Sequence, residues 1–234
     1  MPLQSAKIKG VADVVMCVDC TGSMDPCITE LKTQIETFVT GLEKPATTNL
    51  KPVDWRMRII GFRDLTCDAK PWINLEAPMV KTVTEAKGQV AALSTDSAST
   101  GGDEPESALD AIWYAATQTP WRDNCTKIVV LFSDDTALEI LHKDTVAKGA
   151  VGNDVSAVKQ ALAERGIRLY AWAKTCPVWE QLKATPKTVF SAVSGADGLK
   201  SIDFKELLAT LAKTVSQVAE SGPSSAGAKT VAIG

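Results

Sequence analysis

The chain has 234 residues, 45% of them hydrophobic and 23% charged, enough for one α/β domain with a full core. No run approaches the roughly 18 apolar residues of a membrane helix. The balance of 25 basic against 28 acidic residues, net −3, gives no basic footprint for nucleic acid or an anionic membrane surface. The first ten residues, MPLQSAKIKG, lack the apolar core and cleavage site of a signal peptide, so the expected location is cytoplasmic. A chain of this size needs no disulfide staples, and Cys17, Cys20, Cys27, Cys67, Cys125 and Cys176 are expected as thiols.

Apolar runs and helical stripes alternate along the chain, the pattern of a parallel sheet wrapped by helices. Val11–Val18 is almost continuously apolar, as in a strand covered on both faces. Ile28, Leu31, Ile35, Phe38 and Leu42 follow at helical spacing, with Asp25 and Pro26 as a cap and first-turn pair. Trp55–Phe62 reads as a second strand and Trp72–Leu75 as a short edge strand. Helices are expected over Val83–Leu93 and Glu104–Thr117, and Lys127–Phe132 is a buried strand. A helix over Asp154–Arg165 stops at Gly166, followed by strands Ile167–Trp172 and Thr188–Val193. Phe204, Leu207, Leu208, Leu211, Val215 and Val218 form one stripe of a closing helix. The segment after Glu220, SGPSSAGAKTVAIG, has small residues and no period, and reads as a tail or linker. The expected architecture is a single doubly wound, mainly parallel sheet with helices on both faces.

Three polar segments sit at element ends. Asp19-Cys-Thr21-Gly-Ser23 follows the first strand, Thr100-Gly-Gly-Asp103-Glu-Pro-Glu106 precedes a helix, and Ser133-Asp134-Asp135 follows the strand ending at Phe132. Ligands of doubly wound sheets bind beyond the carboxyl ends of the strands, where the winding reverses. With the strands ending at Val18 and Phe132 as neighbours there, Asp19 and Asp134 face one another. Converging carboxylates repel unless a counter-charge joins them. A hard divalent cation suits carboxylate, hydroxyl and water oxygens. The Asp-x-Thr-x-Ser spacing lets one turn aim Asp19, Thr21 and Ser23 at a single point. Each segment also has a structural reading: Ser23 or Asp25 as a helix cap, Asp103 with Glu106 as a capping pair, Asp134 as a polar strand end.

Asp19-Cys-Thr21-Gly-Ser23-Met24, Gly101-Gly-Asp103-Glu-Pro105-Glu106 and Ser133-Asp134 together resemble the von Willebrand factor type A domain and its metal-ion-dependent adhesion site. The likeness runs from about Lys7 to Glu220, so the domain is expected over 7–220 with 221–234 as tail. Gly61-Phe-Arg-Asp64 is similar to bacterial members. The resemblance implies that Asp19, Thr21, Ser23, Asp103 and Asp134 bind a cation directly or through water, Mg²⁺ first, with Mn²⁺ or Ca²⁺ as alternatives. The family often has Thr where Asp103 stands. The Gly-Asp-x-Pro-Glu order resembles integrin β subunits, where the glutamate matching Glu106 reaches the metal, so the second-loop ligand stays open between Asp103 and Glu106. The implied function is a non-enzymatic adhesion or scaffold module whose cation accepts an Asp or Glu from a partner protein.

Asp19-Cys-Thr-Gly-Ser23 is also similar to the phosphorylated motif of P-type ATPases, and Ser133 after an apolar strand to the second motif of their haloacid-dehalogenase-like fold. This likeness implies phosphoryl transfer with Asp19 as nucleophile. Cys20 stands where those pumps have Lys, no Gly-Asp-Gly-x-Asn-Asp segment follows, and the Gly-Gly-Asp-x-Pro-Glu loop has no role there. Cys17-x-x-Cys20 is read as core packing rather than a metal or redox pair, because Cys17 falls inside a buried strand. The sole histidine, His142, is expected at a solvated helix start. Trp121 and Trp179 are candidate contact residues in Pro-containing loops.

Overall fold

The computed structural model describes residues 10–44, 52–95, 105–193, 199 and 203–220. Six strands form one sheet: β1 (Gly10–Asp19), β2 (Val53–Phe62), β3 (Trp72–Ile73), β4 (Thr126–Phe132), β5 (Arg168–Lys174) and β6 (Thr188–Val193). Their spatial order is β3-β2-β1-β4-β5-β6. All pairings are parallel except the short β2–β3 edge. The order reverses between β1 and β4, whose register sets Val18 opposite Phe132.

The period-two alternation of a strand divides each central strand between two cores. Val14, Met16 and Val18 of β1, with Ile128, Val130 and Phe132 of β4, face one helical layer; Val15, Cys17, Val129 and Leu131 face the other. The first layer holds α1 (Asp25–Glu43), α2 (Val83–Ala91) and the last helix, Phe204–Glu220. The second holds α3 (Ala108–Gln118), α4 (Lys143–Ala147), α5 (Val155–Arg165) and α6 (Pro177–Lys183), so the Phe204–Glu220 helix is α7. Covering both faces explains why Val14–Val18 of β1 and Ile128–Phe132 of β4 are continuously apolar rather than alternating.

Two glycines are fixed by geometry. Gly166 ends α5 at φ +65°, where a side chain is strained. Gly10 lies against α7: a Cβ there would stand 2.6 Å from the Cβ of Ala219.

Several expectations are corrected in detail. The helix read from Glu104 begins at Ala108, because Glu106 is drawn into a parallel bridge with Ala137. Asp25 lies in the first turn of α1 rather than capping it; the N-cap is Met24, behind a 3-10 turn over Gly22–Met24. Helices α4 and α6 went unread because five and seven residues carry too little periodicity. Residues 7–9 and 221–234 lie outside the described residues. Among the described residues, no helix is long and apolar enough to cross a membrane.

Candidate metal centre

The β1–β4 register brings the first and third polar segments together. Asp19 is fully buried at the end of β1. Its Oδ2 accepts a hydrogen bond from Ser133 Oγ at 2.7 Å, and its Oδ1 accepts from Thr21 N at 2.9 Å and Thr21 Oγ1 at 2.7 Å. The chain then turns so that exposed Ser23 donates from Oγ to Asp134 Oδ1 at 2.9 Å. Asp19, Thr21, Ser23 and Asp134 thus share one cluster, Asp19 at its base and Ser23 and Asp134 on its open side.

Of the second segment, Asp103 lies outside the described residues. Glu106 is held in place by its backbone: its N–H donates to Thr136 O and its carbonyl accepts from Leu138 N, both at 2.9 Å. Its side chain is only 3% exposed, and Oε2 has no hydrogen-bond partner among the described residues. Burial pushes the Glu106 carboxyl up to about 9, and the negative charges of Asp19, Asp64, Asp135 and Asp68 push the same way. Asp19 is raised to about 6, by burial first and slightly by Asp134, against the bonds from Ser133 and Thr21 that favour its ionised form.

The second strand's end supports this cluster in ways the sequence only hinted at through Gly61–Asp64. Buried Arg63 donates from Nε to Cys20 O at 3.0 Å, from Nη1 to Lys70 O at 3.1 Å and from Nη2 to Ser94 O at 2.9 Å. It clamps the backbone immediately after Asp19 to two further loops. Asp64 accepts from Thr66 N and Oγ1 at 2.7 and 2.6 Å and from Cys67 Sγ at 3.1 Å. Ser107 Oγ joins Asp64 Oδ1 at 3.4 Å and accepts from Leu65 N at 2.9 Å, tying this loop to the residue after Glu106.

The donor set is oxygen from carboxylates and hydroxyls, which suits a hard divalent cation. No Lys or Arg among the described residues pairs with Asp19, Glu106 or Asp134. Nor do three His, Cys, Asp or Glu side chains among the described residues gather closely enough to hold an ion. A cation bound here would need the hydroxyls of Thr21 and Ser23 beside the carboxylates. A nearby ion pair is peripheral: Lys174 Nζ lies 3.9 Å from Asp135 Oδ1.

The weaker candidates resolve as structure. Cys17 Sγ lies 3.5 Å from Ala111 O, and burial pushes both the Cys17 and Cys20 thiols up to about 12, as inert core residues. The six cysteines, all among the described residues, form no disulfide. His142 caps α4, its Nδ1 accepting from Asp144 N, while its own N–H donates to buried Asp110. Trp179 is corrected from contact residue to core: it sits in α6, 1% exposed, stacked on Phe190 at 5.5 Å. Trp121 is half-buried and donates from Nε1 to Ala116 O at 2.9 Å.

The von Willebrand factor type A family model matches residues 13–205, and the chain belongs to that family. No curated protein matches the sequence. Among solved structures, the chain is similar to the pilus adhesin SpaC of Lactobacillus rhamnosus GG in its open conformation, at 15% identity and TM-score 0.57, covering 91% of this chain and 31% of that one. It is also similar to proximal thread matrix protein 1 of the mussel byssus with a zinc-occupied metal-ion-dependent adhesion motif, at 14% identity and TM-score 0.51, covering 87% and 46%. The chain thus spans less than half the length of these proteins, and at such identity the likeness concerns the fold.

Proposed function

We propose that this chain is a metal-dependent protein-binding module rather than an enzyme. Asp19, Thr21, Ser23 and Asp134, completed by Asp103 or Glu106 from the second segment, hold a divalent cation that takes an Asp or Glu from a partner. The observation that carries this reading is the meeting of Asp19–Ser23 with Ser133–Asp134 at the sheet's reversal point, where no Lys or Arg among the described residues pairs with Asp19 or Asp134. A bound cation supplies a positive centre whose outward position an incoming carboxylate can complete, a charge-assisted contact in a partly desolvated place. The chain's own residues orient that centre: Ser133 and Thr21 fix Asp19, and Ser23 fixes Asp134.

Mg²⁺ is the proposed ion, with Mn²⁺ and Ca²⁺ as alternatives; the zinc held by the mussel protein's motif adds Zn²⁺ to the ions worth testing. The binding unit is the 7–220 domain, and the proposed location is cytoplasmic. Phosphoryl transfer at Asp19 rests on Asp19–Ser23 and Ser133 alone, whereas the family match spans residues 13–205.

The test is affinity capture from native lysate with the full chain and with Asp19→Ala, each in Mg²⁺ and in EDTA. Proteins retained only by the wild type with Mg²⁺ support the reading. An identical set in all four conditions overturns it.

A further inference from the structure

Phe62 and Arg63, at the end of β2, grip one residue of the first polar segment from both sides. Phe62 O accepts from Cys20 N at 2.8 Å, and Arg63 Nε donates to Cys20 O at 3.0 Å. Cys20 joins Asp19 to Thr21, so its orientation decides whether Thr21 reaches Asp19 Oδ1 with both its N–H and its hydroxyl. Arg63 also holds Ser94 O, six residues before Thr100, where the second polar segment starts. The next residue, Asp64, acts on the other end of that segment. Ser107 is the N-cap of α3, yet its hydroxyl makes no cap bond. It accepts instead from Leu65 N at 2.9 Å and donates to Asp64 Oδ1 at 3.4 Å. A serine at an N-cap ordinarily accepts from an N–H of its own helix. Turned towards the β2 loop, this one fixes the residue that follows Glu106.

We infer that Arg63 and Asp64 are positioning residues of the cation site. Arg63 sets Asp19–Thr21 against the start of the second segment, and Asp64, through Ser107, sets that segment's end at Glu106. The inference rests on the cation reading above. Arg63, Asp64 and Ser107 are 2%, 4% and 0% exposed, so their effect on the site passes through the residues they hold rather than through a partner. The chemistry calls for arginine. A guanidinium presents a planar fork of donors, which here reaches the carbonyls of Cys20, Lys70 and Ser94 together. An ammonium is a compact point charge on a flexible stem and does not reproduce that fork. Residues that orient ligands from behind change metal affinity by roughly 10–100-fold when replaced.

The test is calorimetric titration of the full chain with Mg²⁺, comparing the wild type with Arg63→Lys, Ser107→Ala and Asp13→Asn, each checked for folding by circular dichroism. Arg63→Lys should weaken Mg²⁺ by roughly 10–100-fold, and Ser107→Ala should weaken it several-fold. Asp13→Asn breaks a buried ion pair at the opposite end of β1 and is the control for lost stability. Its Kd should match the wild type. A second readout needs no cation: in EDTA, deuterium exchange at Thr21 N should quicken in Arg63→Lys and stay unchanged in Asp13→Asn. An unchanged Kd in Arg63→Lys or Ser107→Ala, or unchanged Thr21 exchange in Arg63→Lys, overturns the inference. So does an equal loss of affinity in Asp13→Asn, which would trace the effect to stability alone. If Arg63→Lys does not fold, Ser107→Ala decides. A wild type that takes up no Mg²⁺ overturns the cation reading itself, and this inference with it.

Discussion

Ser133 Oγ donates to Asp19 Oδ2 across the β1–β4 junction at 2.7 Å, so the residue after β4 locks the last residue of β1. Both side chains are fully buried. Removing the hydroxyl leaves a buried carboxylate oxygen with one donor fewer, and such losses cost about 1–3 kcal/mol. Ser133→Ala should lower the denaturation midpoint in EDTA accordingly. Saturating Mg²⁺ should recover part of the loss, because the cation would satisfy the same carboxylate. Urea titrations of both proteins with and without Mg²⁺ check this; equal losses in the two conditions would detach Ser133 from the metal centre.

A cation bound only by the folded chain stabilises it by RT ln(1 + [L]/Kd), about 2.7 kcal/mol at a hundredfold excess over Kd. Thermal melting of the wild type in millimolar Mg²⁺ or Mn²⁺ should therefore exceed melting in EDTA. In Asp19→Ala the increment should disappear, while the cation-free variant loses one of the charges that oppose Glu106. If wild type and variant melt alike with and without cation, the site is not a metal centre.

Glu106 and Asp103 are separable by experiment. The Glu106 carboxyl is buried, its Oε2 lacks a hydrogen-bond partner among the described residues, and four aspartates oppose its ionisation. Glu106→Gln should stabilise the cation-free chain at neutral pH, because burial and those charges keep the folded carboxyl protonated at a cost that an uncharged amide does not bear. If Glu106 is the second-loop ligand, the same change should weaken Mg²⁺ at least tenfold in calorimetric titration, whereas Asp103→Asn should weaken it only slightly. The reverse ranking assigns the ligand to Asp103.

The sheet and the Asp19–Asp134 meeting were legible because each rests on local sequence. Continuous apolar runs mark strands covered on both faces, and the motif turns follow them directly. What the sequence concealed depends on contacts distant along the chain. Arg63 stands out only as part of Gly61–Asp64, and its burial against carbonyls of Cys20, Lys70 and Ser94 comes from loops that only the fold brings together. Glu106 fits a capping pattern, yet its backbone is recruited by Thr136 and Leu138, some thirty residues onward, and α3 starts later for that reason. Trp179 follows Pro177 and so suggests a loop, but α6 forms and turns it inward onto Phe190. A signal for Asp13 was present, since an acid inside an apolar strand calls for partners. Those partners, Arg56 and Arg122, are 43 and 109 residues away.

That last cluster should set acid stability at the end of the sheet remote from the proposed metal centre. Asp13 has a fully buried side chain, and its oxygens accept from Arg56 Nε and Nη2 at 3.1 and 2.6 Å and from Arg122 Nε and N at 2.8 and 2.9 Å. Burial alone would raise its pKa, but the bonds from the two arginines outweigh burial and hold it below the ordinary carboxylate value. A depressed folded-state value means that the stabilisation is fully present above the unfolded-state pKa, near 3.9. It is then lost as the pH falls through the lower folded-state value. Asp13→Asn should therefore be less stable than the wild type at neutral pH, by about 3–5 kcal/mol, the usual cost of breaking a buried ion pair from one side. The gap between the two proteins should stay constant from pH 7 to about 5 and narrow below about 4 as the wild-type carboxylate takes up its proton. Urea unfolding of both proteins across pH 2.5–7 in EDTA, which removes any cation contribution, measures the gap directly. A gap that does not change down to the lowest pH would show that Asp13 stabilises the fold by packing and neutral hydrogen bonds rather than by its charge.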